Sequence, residues 1–167
     1  MVAPRPASPE PVPVLTVAAV VERDGRFLLV EEWAHGRRVL NQPAGRVECG
    51  ETLSEAVVRE VLEETCCDFA PEAVTGVYQW QRPGHHPPCL RVAFCGRCGG
   101  VRADRGLDHG ILRTLWLTRA ELAAQPAALR SPMVLTVVDD YLRGRRRACT
   151  TLERLGPAEL AALAHPV

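Results

Sequence analysis

Blocks of apolar and polar positions divide this chain before any single residue is weighed. Residues 14–21 are β-branched and apolar, and Asp24-Gly25 follows as a hairpin signal. Residues 26–32 then read as the returning strand, and further strands are predicted at 74–81, 90–95 and, more briefly, 114–117. The connections are rich in Gly, Pro and His, as at residues 82–88. Helix starts are fewer and sharper. Thr52-Leu53-Ser54-Glu55 and Thr118-Arg119-Ala120-Glu121 both fit the capping box Thr-x-x-Glu. Ser131-Pro132 reads as an N-cap followed by a first-turn proline, opening a helix to about Leu142. Gly156-Pro157 predicts a last short helix. The pattern predicts one α+β domain with helices packed on a sheet. It spans residues 14–145, behind a disordered Pro-rich arm at 1–13 and ahead of a C-terminal extension at 146–167.

Composition narrows the classes. The chain has 167 residues, 47% of them apolar, which suits one domain with a sizeable core. Lys+Arg and Asp+Glu both number 20, and every basic residue is an Arg. Zero net charge argues against a general binder of nucleic acid or of membrane surfaces. No apolar run is long enough to span a bilayer, and the first residues lack the order of a signal peptide. Seven cysteines, an odd number, point to free thiols in a reducing cytoplasm.

The informative stretch is GRVECGETLSEAVVREVLEETCC, residues 45–67. On a helix beginning after Thr52, Leu53, Val57, Val58, Val61 and Leu62 fall within an arc of roughly 180°, predicted to face the core. Glu60, Glu63 and Glu64 share an adjoining arc of roughly 100°, with Arg59 just beyond. Like charges three and four residues apart repel, and the helix dipole disfavours acids in its second half. A solvated acidic face is the plain reading of three such Glu. A divalent cation would reverse the sign of each penalty, and oxygen ligands at this density suit Mg²⁺.

The flanking residues favour the metal. Gly45, Glu51, Arg59, Glu60, Glu63 and Glu64 fit one long pattern, with Val61 at its apolar place and Gln42-Pro43-Ala44 leading into it. This resembles the signature of the Nudix hydrolases. The resemblance implies an α/β/α sandwich with a mixed sheet and hydrolysis of a small organic diphosphate with Mg²⁺ or Mn²⁺. By position, Glu60, Glu63 and Glu64 would be metal ligands, with a main-chain carbonyl near Ala44 or Gly45. Arg59 and Glu51 would orient them through charge-assisted hydrogen bonds. One departure stands out: Cys66 occupies the place where the family usually has a helix-ending Gly, so a left-handed residue there would cost about 1 kcal/mol.

The resemblance extends over residues 14–144. Through VAAVVERDGRFLLVEEW, LNQPAGRVE, VYQWQRP, LRVAF and LRSPMV the chain is similar to bacterial Nudix phosphatases. That branch acts on hydroxymethylpyrimidine pyrophosphate, thiamine pyrophosphate and nucleoside tri- and diphosphates. A flat ring needs an apolar partner, and Trp33, Tyr78 and Trp80 are available, although core filling would account for each singly. Arg91 is a candidate for a phosphate, and Arg130-Ser131, ahead of a helix, for an anion. The expected partner is thus a small phosphorylated molecule, with no nucleic acid and no membrane, and either a monomer or a homodimer would serve.

Three weaker constellations remain. Cys95-Gly-Arg-Cys98 is a Cys-x-x-Cys beside His85, His86 and Cys89, but residues three apart on a strand point to opposite faces. Arg143, Arg145, Arg146 and Arg147 form a basic run that suits a solvated helix end. Asp108 could supply a further acid, and the general base stays unassigned. The alternative from another class is a Nudix-fold binding module that senses a nucleotide or sugar phosphate without turnover.

Overall fold

The central strand is apolar on both sides because both of its faces are covered. In a computed structural model, residues 12–34, 36–84 and 87–151 are described. The strands are β1 (Val14–Arg23), β2 (Arg26–Ala34), β3 (Arg37–Asn41), β4 (Ala44–Arg46), β5 (Cys67–Trp80), β6 (Cys89–Val101) and β7 (Ile111–Thr118). The helices are α1 (Leu53–Thr65), α2 (Arg119–Ala123) and α3 (Met133–Leu142), with 3-10 turns at Pro126–Ala128 and Cys149–Thr151. The seven strands form one mixed sheet in the order β3-β2-β1-β6-β5, with β4 also on β1 and β7 also on β2.

Val17, Ala19 and Val21 of β1 join Val92 and Phe94 of β6 in a core under Ala56, Val57 and Val61 of α1. Val20, Ala93 and Cys95 face the other way, against Leu122 of α2 and Val134, Val137 and Val138 of α3. Period-two alternation therefore feeds two cores, and the molecule is a single-domain α/β/α sandwich of the α+β class. β1 runs parallel to β6 from Val14↔Cys89 to Val21↔Gly96 and antiparallel to β4 at Thr16↔Arg46, Val17↔Gly45 and Ala18↔Ala44. The predicted hairpin turn is present, with Asp24 at φ 51° and Gly25 at φ 74°, both left-handed as a two-residue turn requires.

Both capping boxes form. Thr52 accepts from the Glu55 amide and Thr118 from the Glu121 amide, and each Glu reaches back to its cap residue's N–H. α1 ends at Cys66 in the left-handed conformation, φ 57°, whose N–H donates to the Leu62 carbonyl. The Cys66 side chain is buried, with Sγ 3.4 Å from the Arg105 carbonyl, which offsets part of the left-handed cost.

Several expectations are corrected. β3 and β4 are too short and too polar to read as strands from pattern, and β5 and β6 run well beyond the predicted spans. Leu62 is only half-buried, beside Pro71 and Arg105, while Glu60 and Glu64 take buried places on α1. Ser131 does not cap α3: Pro132 holds that position without a side-chain bond, and Ser131 Oγ has no partner. Cys95 packs on the α3 side and Cys98 against the α1 side, so the Cys-x-x-Cys cannot chelate through one face. The Gly156-Pro157 helix, the arm at 1–11, His85 and His86 lie outside the described residues. No helix among the described residues is long and apolar enough to cross a membrane.

Removing the α1 cap tests how far this helix depends on its first turn. Thr52→Ala should cost about 1 kcal/mol, the usual worth of such a cap. For a domain of this size that lowers the melting temperature by roughly 2–4 °C, readable by thermal denaturation.

Candidate active site

The strand-loop-helix unit from β4 to α1 brings one arginine against three carboxylates. Arg59 Nε donates to Glu51 Oε2 at 3.0 Å and Nη2 to Glu51 Oε1 at 2.7 Å, a two-pronged pair. Nη1 donates to Glu60 Oε1 at 2.8 Å and to Glu63 Oε2 at 3.0 Å. Nη2 also reaches the Arg46 carbonyl at 2.9 Å. All five N–H donors of the guanidinium are thereby engaged. The loop is held to the helix by the same side chain that screens the acids from one another. The Arg59 hydrogen bonds hold the Glu51 carboxyl below its usual range, and Glu51 holds the guanidinium charged well above its own.

Glu60 lies directly over Gly45. A Cβ at residue 45 would stand 2.1 Å from Glu60 Oε1, so only glycine leaves room for that carboxylate between strand and helix. One turn further on, Glu64 Oε2 accepts from the Ala44 amide at 2.9 Å. Glu60 and Glu64 are 9% and 8% exposed, the cost that the sequence foresaw for acids beside an apolar stripe. Burial raises the Glu60 carboxyl above its ordinary range despite Arg59. Burial also pushes Glu64 up to about 8, against the pull of the Ala44 amide.

Glu51, Arg59, Glu60, Glu63, Glu64 and Gly45, all anticipated, thus stand in one cluster. As the side chains lie, no three His, Cys, Asp or Glu among the described residues are grouped to hold a cation, since Glu60 and Glu63 are turned onto Arg59. The donors are oxygen only, two of them are buried carboxylates, and Glu64 has no cationic side chain in contact among the described residues. That set fits a hard divalent cation.

The sequence did not single out Glu32 on β2. Its carboxylate pairs with Arg130, one oxygen is buried without a partner, and its charge adds to that felt by Glu64. Nothing in the run Glu31-Glu32-Trp33 distinguishes it from its exposed-side neighbours. Gln42 was quoted only as part of a motif. It is fully buried and donates to the Val134 carbonyl at 2.7 Å, tying the loop before Gly45 to α3.

Beyond Gly45 a cleft opens in two lobes. The inner lobe, a cavity of about 330 Å³, is bordered by Ala44, Gly45, Asn41, Arg46, Trp80, Arg82, Arg91, Arg130 and Ser131, among others. The outer lobe, about 540 Å³, shares Trp80, Arg82, Arg130 and Ser131 and adds Leu129, Leu135 and three prolines. Trp80, Arg91 and Arg130 therefore come together as anticipated, with Trp80 paired to Cys89 and Tyr78 to Arg91 across β5 and β6. Trp33 does not join them: it is 58% exposed on β2, opposite Arg38. Tyr78 is turned to the α3 face, where its hydroxyl donates to Asp140. Asp108 lies at the end of α1, its amide on the Glu63 carbonyl and its exposed carboxylate on the His109 amide, and that carboxylate makes no bond to the side chains of the cluster.

The family profile of the NUDIX domain matches residues 12–135. The chain is 37% identical over 134 residues to the phosphatase NudJ of Escherichia coli K12, covering 80% of this chain and 86% of that protein. It is similar to a solved NUDIX hydrolase from Nitrosomonas europaea, with 42% identity, a TM-score of 0.84, and coverage of 86% and 98%. A MutT NUDIX hydrolase from Burkholderia pseudomallei, 20% identical with a TM-score of 0.67, covering 77% and 98%, shares the fold.

The buried acids set a pH dependence for the metal-free protein. A Glu64 carboxyl near 8 in the fold, against 4.5 when free, makes the folded state hold its proton more tightly. Stability then falls as pH rises through that window, and Glu60 acts in the same direction. Glu51, shifted down, contributes oppositely, and only at more acid pH. In chelator, the melting temperature should be lower at about pH 8 than at about pH 6, and Glu64→Gln should flatten the difference.

Proposed function

The chain belongs to the NUDIX family, and from that premise we propose that it is a magnesium-dependent enzyme that hydrolyses phosphoanhydride bonds in small organic di- and triphosphates, with Mn²⁺ as a substitute. The observation that carries this reading is the Arg59 hub beside buried Glu60 and Glu64, with Gly45 left bare beneath Glu60. A binding module would have no use for so unfavourable a set of charges.

Glu60, Glu64 and Glu63, with the carbonyl of the Ala44–Gly45 loop, would hold the cation. When bound, it neutralises the diphosphate and acidifies an attacking water. The protein's own part is orientation. Arg59 fixes Glu60 and Glu63 in direction, and Glu51 fixes Arg59, so the oxygens are presented at one side of the Gly45 loop. Carboxylates held this way need little reorganisation when negative charge shifts onto the leaving group. The E. coli relative is named a phosphatase, in keeping with release of phosphate from such compounds.

For the organic part, Trp80 forms a wall shared by both lobes of the cleft, only a short span from Gly45. A ring of the pyrimidine, thiamine or nucleobase type would stack there.

Glu60→Gln and Glu64→Gln should each lower Mg²⁺-dependent turnover by roughly 100- to 1000-fold, the scale of losing one preorganised stabilising group. Circular dichroism should be unchanged. Near-normal turnover in either folded variant would refute the ligand assignment.

Trp80→Ala should raise KM for ringed substrates by roughly 5- to 150-fold, corresponding to a stack worth about 1–3 kcal/mol. Hydrolysis of a short alkyl diphosphate should hardly change, and joint loss of both activities would reassign Trp80 to the core.

A further inference from the structure

Arg91 is a buried cation that lacks a carboxylate. Its side chain on β6 is 5% exposed, and among the described residues its one hydrogen bond runs from Nη1 to the neutral amide oxygen of Asn41 at 3.2 Å. Its Nε is buried and without a partner, and no ion pair among the described residues includes it. A guanidinium does not shed its proton inside a protein, so its desolvation is offset by no ion pair among the described residues. Nothing in the packing of the sheet requires this: its neighbours Val92 and Ala93 bury apolar side chains at no such penalty.

A second buried donor borders the same inner lobe. Ser131 is 5% exposed, and its Oγ has no partner. It stands at the start of α3, whose N-terminus carries no side-chain cap, and the partial positive charge there adds to the effect. Arg46, Arg82, Arg91 and Arg130 all border the lobe, and among the described residues only Arg130 has a carboxylate, Glu32. The nearby acids, Glu32 and Glu64, attract Arg91 without touching it. The lobe is thus bordered by an excess of positive charge, and two of its bordering residues, Arg91 and Ser131, carry buried donors without a partner.

We propose that this inner lobe is an anion subsite, anchored by Arg91 and Ser131, which seats the phosphate that stays with the organic group after hydrolysis. The proposal rests on the hydrolase reading and deepens it by assigning the residues that seat the phosphate retained after the scissile bond is broken. Trp80 borders the lobe, so the ring attached to that phosphate lies against the indole. The organic monophosphate is then a product that binds without any metal.

The test is calorimetric titration of the full chain in chelator with cytidine monophosphate, cytidine and inorganic phosphate. Cytidine monophosphate should bind wild type in the millimolar range or better, at least tenfold more tightly than either cytidine or inorganic phosphate. Arg91→Met should weaken the monophosphate at least tenfold and leave cytidine unchanged, and Ser131→Ala should weaken it several-fold. Arg91→Met without ligand should melt no lower than wild type, because it removes from the interior a charge that no ion pair among the described residues offsets. A structural arginine would give the reverse. Four outcomes overturn the subsite: no binding of the monophosphate by wild type, inorganic phosphate binding as tightly as the monophosphate, an unchanged monophosphate affinity in Arg91→Met, or a clearly lower melting temperature or failed folding in that variant. All of these are read without metal or turnover. Failure of the hydrolase reading would show instead as Mg²⁺-dependent turnover that Glu60→Gln does not reduce.

Discussion

One guanidinium holds the catalytic half of this molecule together. Four carboxylates from one helix and the loop before it would repel as a bare set, and two of them are buried. Arg59 sits among three of them with every donor used, and its bond to the Arg46 carbonyl fixes the loop as well. The consequence spreads outward. Glu60, drawn to Arg59, lies over residue 45, which must then be glycine. Gly45 pairs with Val17, so the arginine also fixes where α1 stands relative to the central strand. An Arg→Lys change here would not be conservative, since an ammonium offers three donors and no planar fork.

The other half is joined to this one by buried polar contacts. Gln42 leaves β3 toward α3 and bonds the Val134 carbonyl, while Asn41 beside it accepts from Arg91. Glu32 on β2 meets Arg130 just ahead of α3 and lies near enough to raise the Glu64 carboxyl. The Glu64 amide contact at Ala44 completes the path. The acid cluster and the arginine-lined cleft are thus two sides of the short Asn41–Arg46 segment. A shift of α3 would be felt at Glu64 through these contacts.

Local chemistry was readable in the sequence wherever it is enforced by neighbours in the chain. The Thr52 and Thr118 boxes, the Asp24-Gly25 turn and the Arg59 to Glu64 spacing all act within one or two turns, and each stands where the pattern put it. What escaped depends on distant partners. β4 is three residues long and exists because Gly45 and its neighbours pair with β1. Ser131-Pro132 has the letters of a cap, yet the first turn of α3 begins after Pro132 and leaves the hydroxyl buried without a partner. Leu62 has the right angle for the core but stays half-buried beside Pro71 and Arg105, while Glu60 and Glu64 fall inward, where Gly45 leaves room for one and the Ala44 amide binds the other. Trp33, Trp80 and Tyr78 are alike by residue type. Only strand pairing separates an exposed ring, a cleft wall and a hydroxyl held on Asp140.

Zero net charge is the composition figure that conceals most. On the α1 side of the Gly45 loop, Glu51, Glu60, Glu63 and Glu64 face one arginine. On the other side, Arg46, Arg82, Arg91 and Arg130 face one carboxylate, Glu32. The chain's charges cancel in sum but are separated across a segment of a few residues. An anionic molecule is repelled by the acid side and drawn to the arginine side, so it can meet the carboxylates only with a cation placed between. That separation gives a phosphorylated substrate a direction before any base-specific contact is made. In the function proposed above, its organic end would lie with Trp80 and the bond to be broken near Gly45, where the two fields meet. Charge directs the phosphates and stacking on Trp80 would direct the ring, so a neutral ring compound would receive only the second.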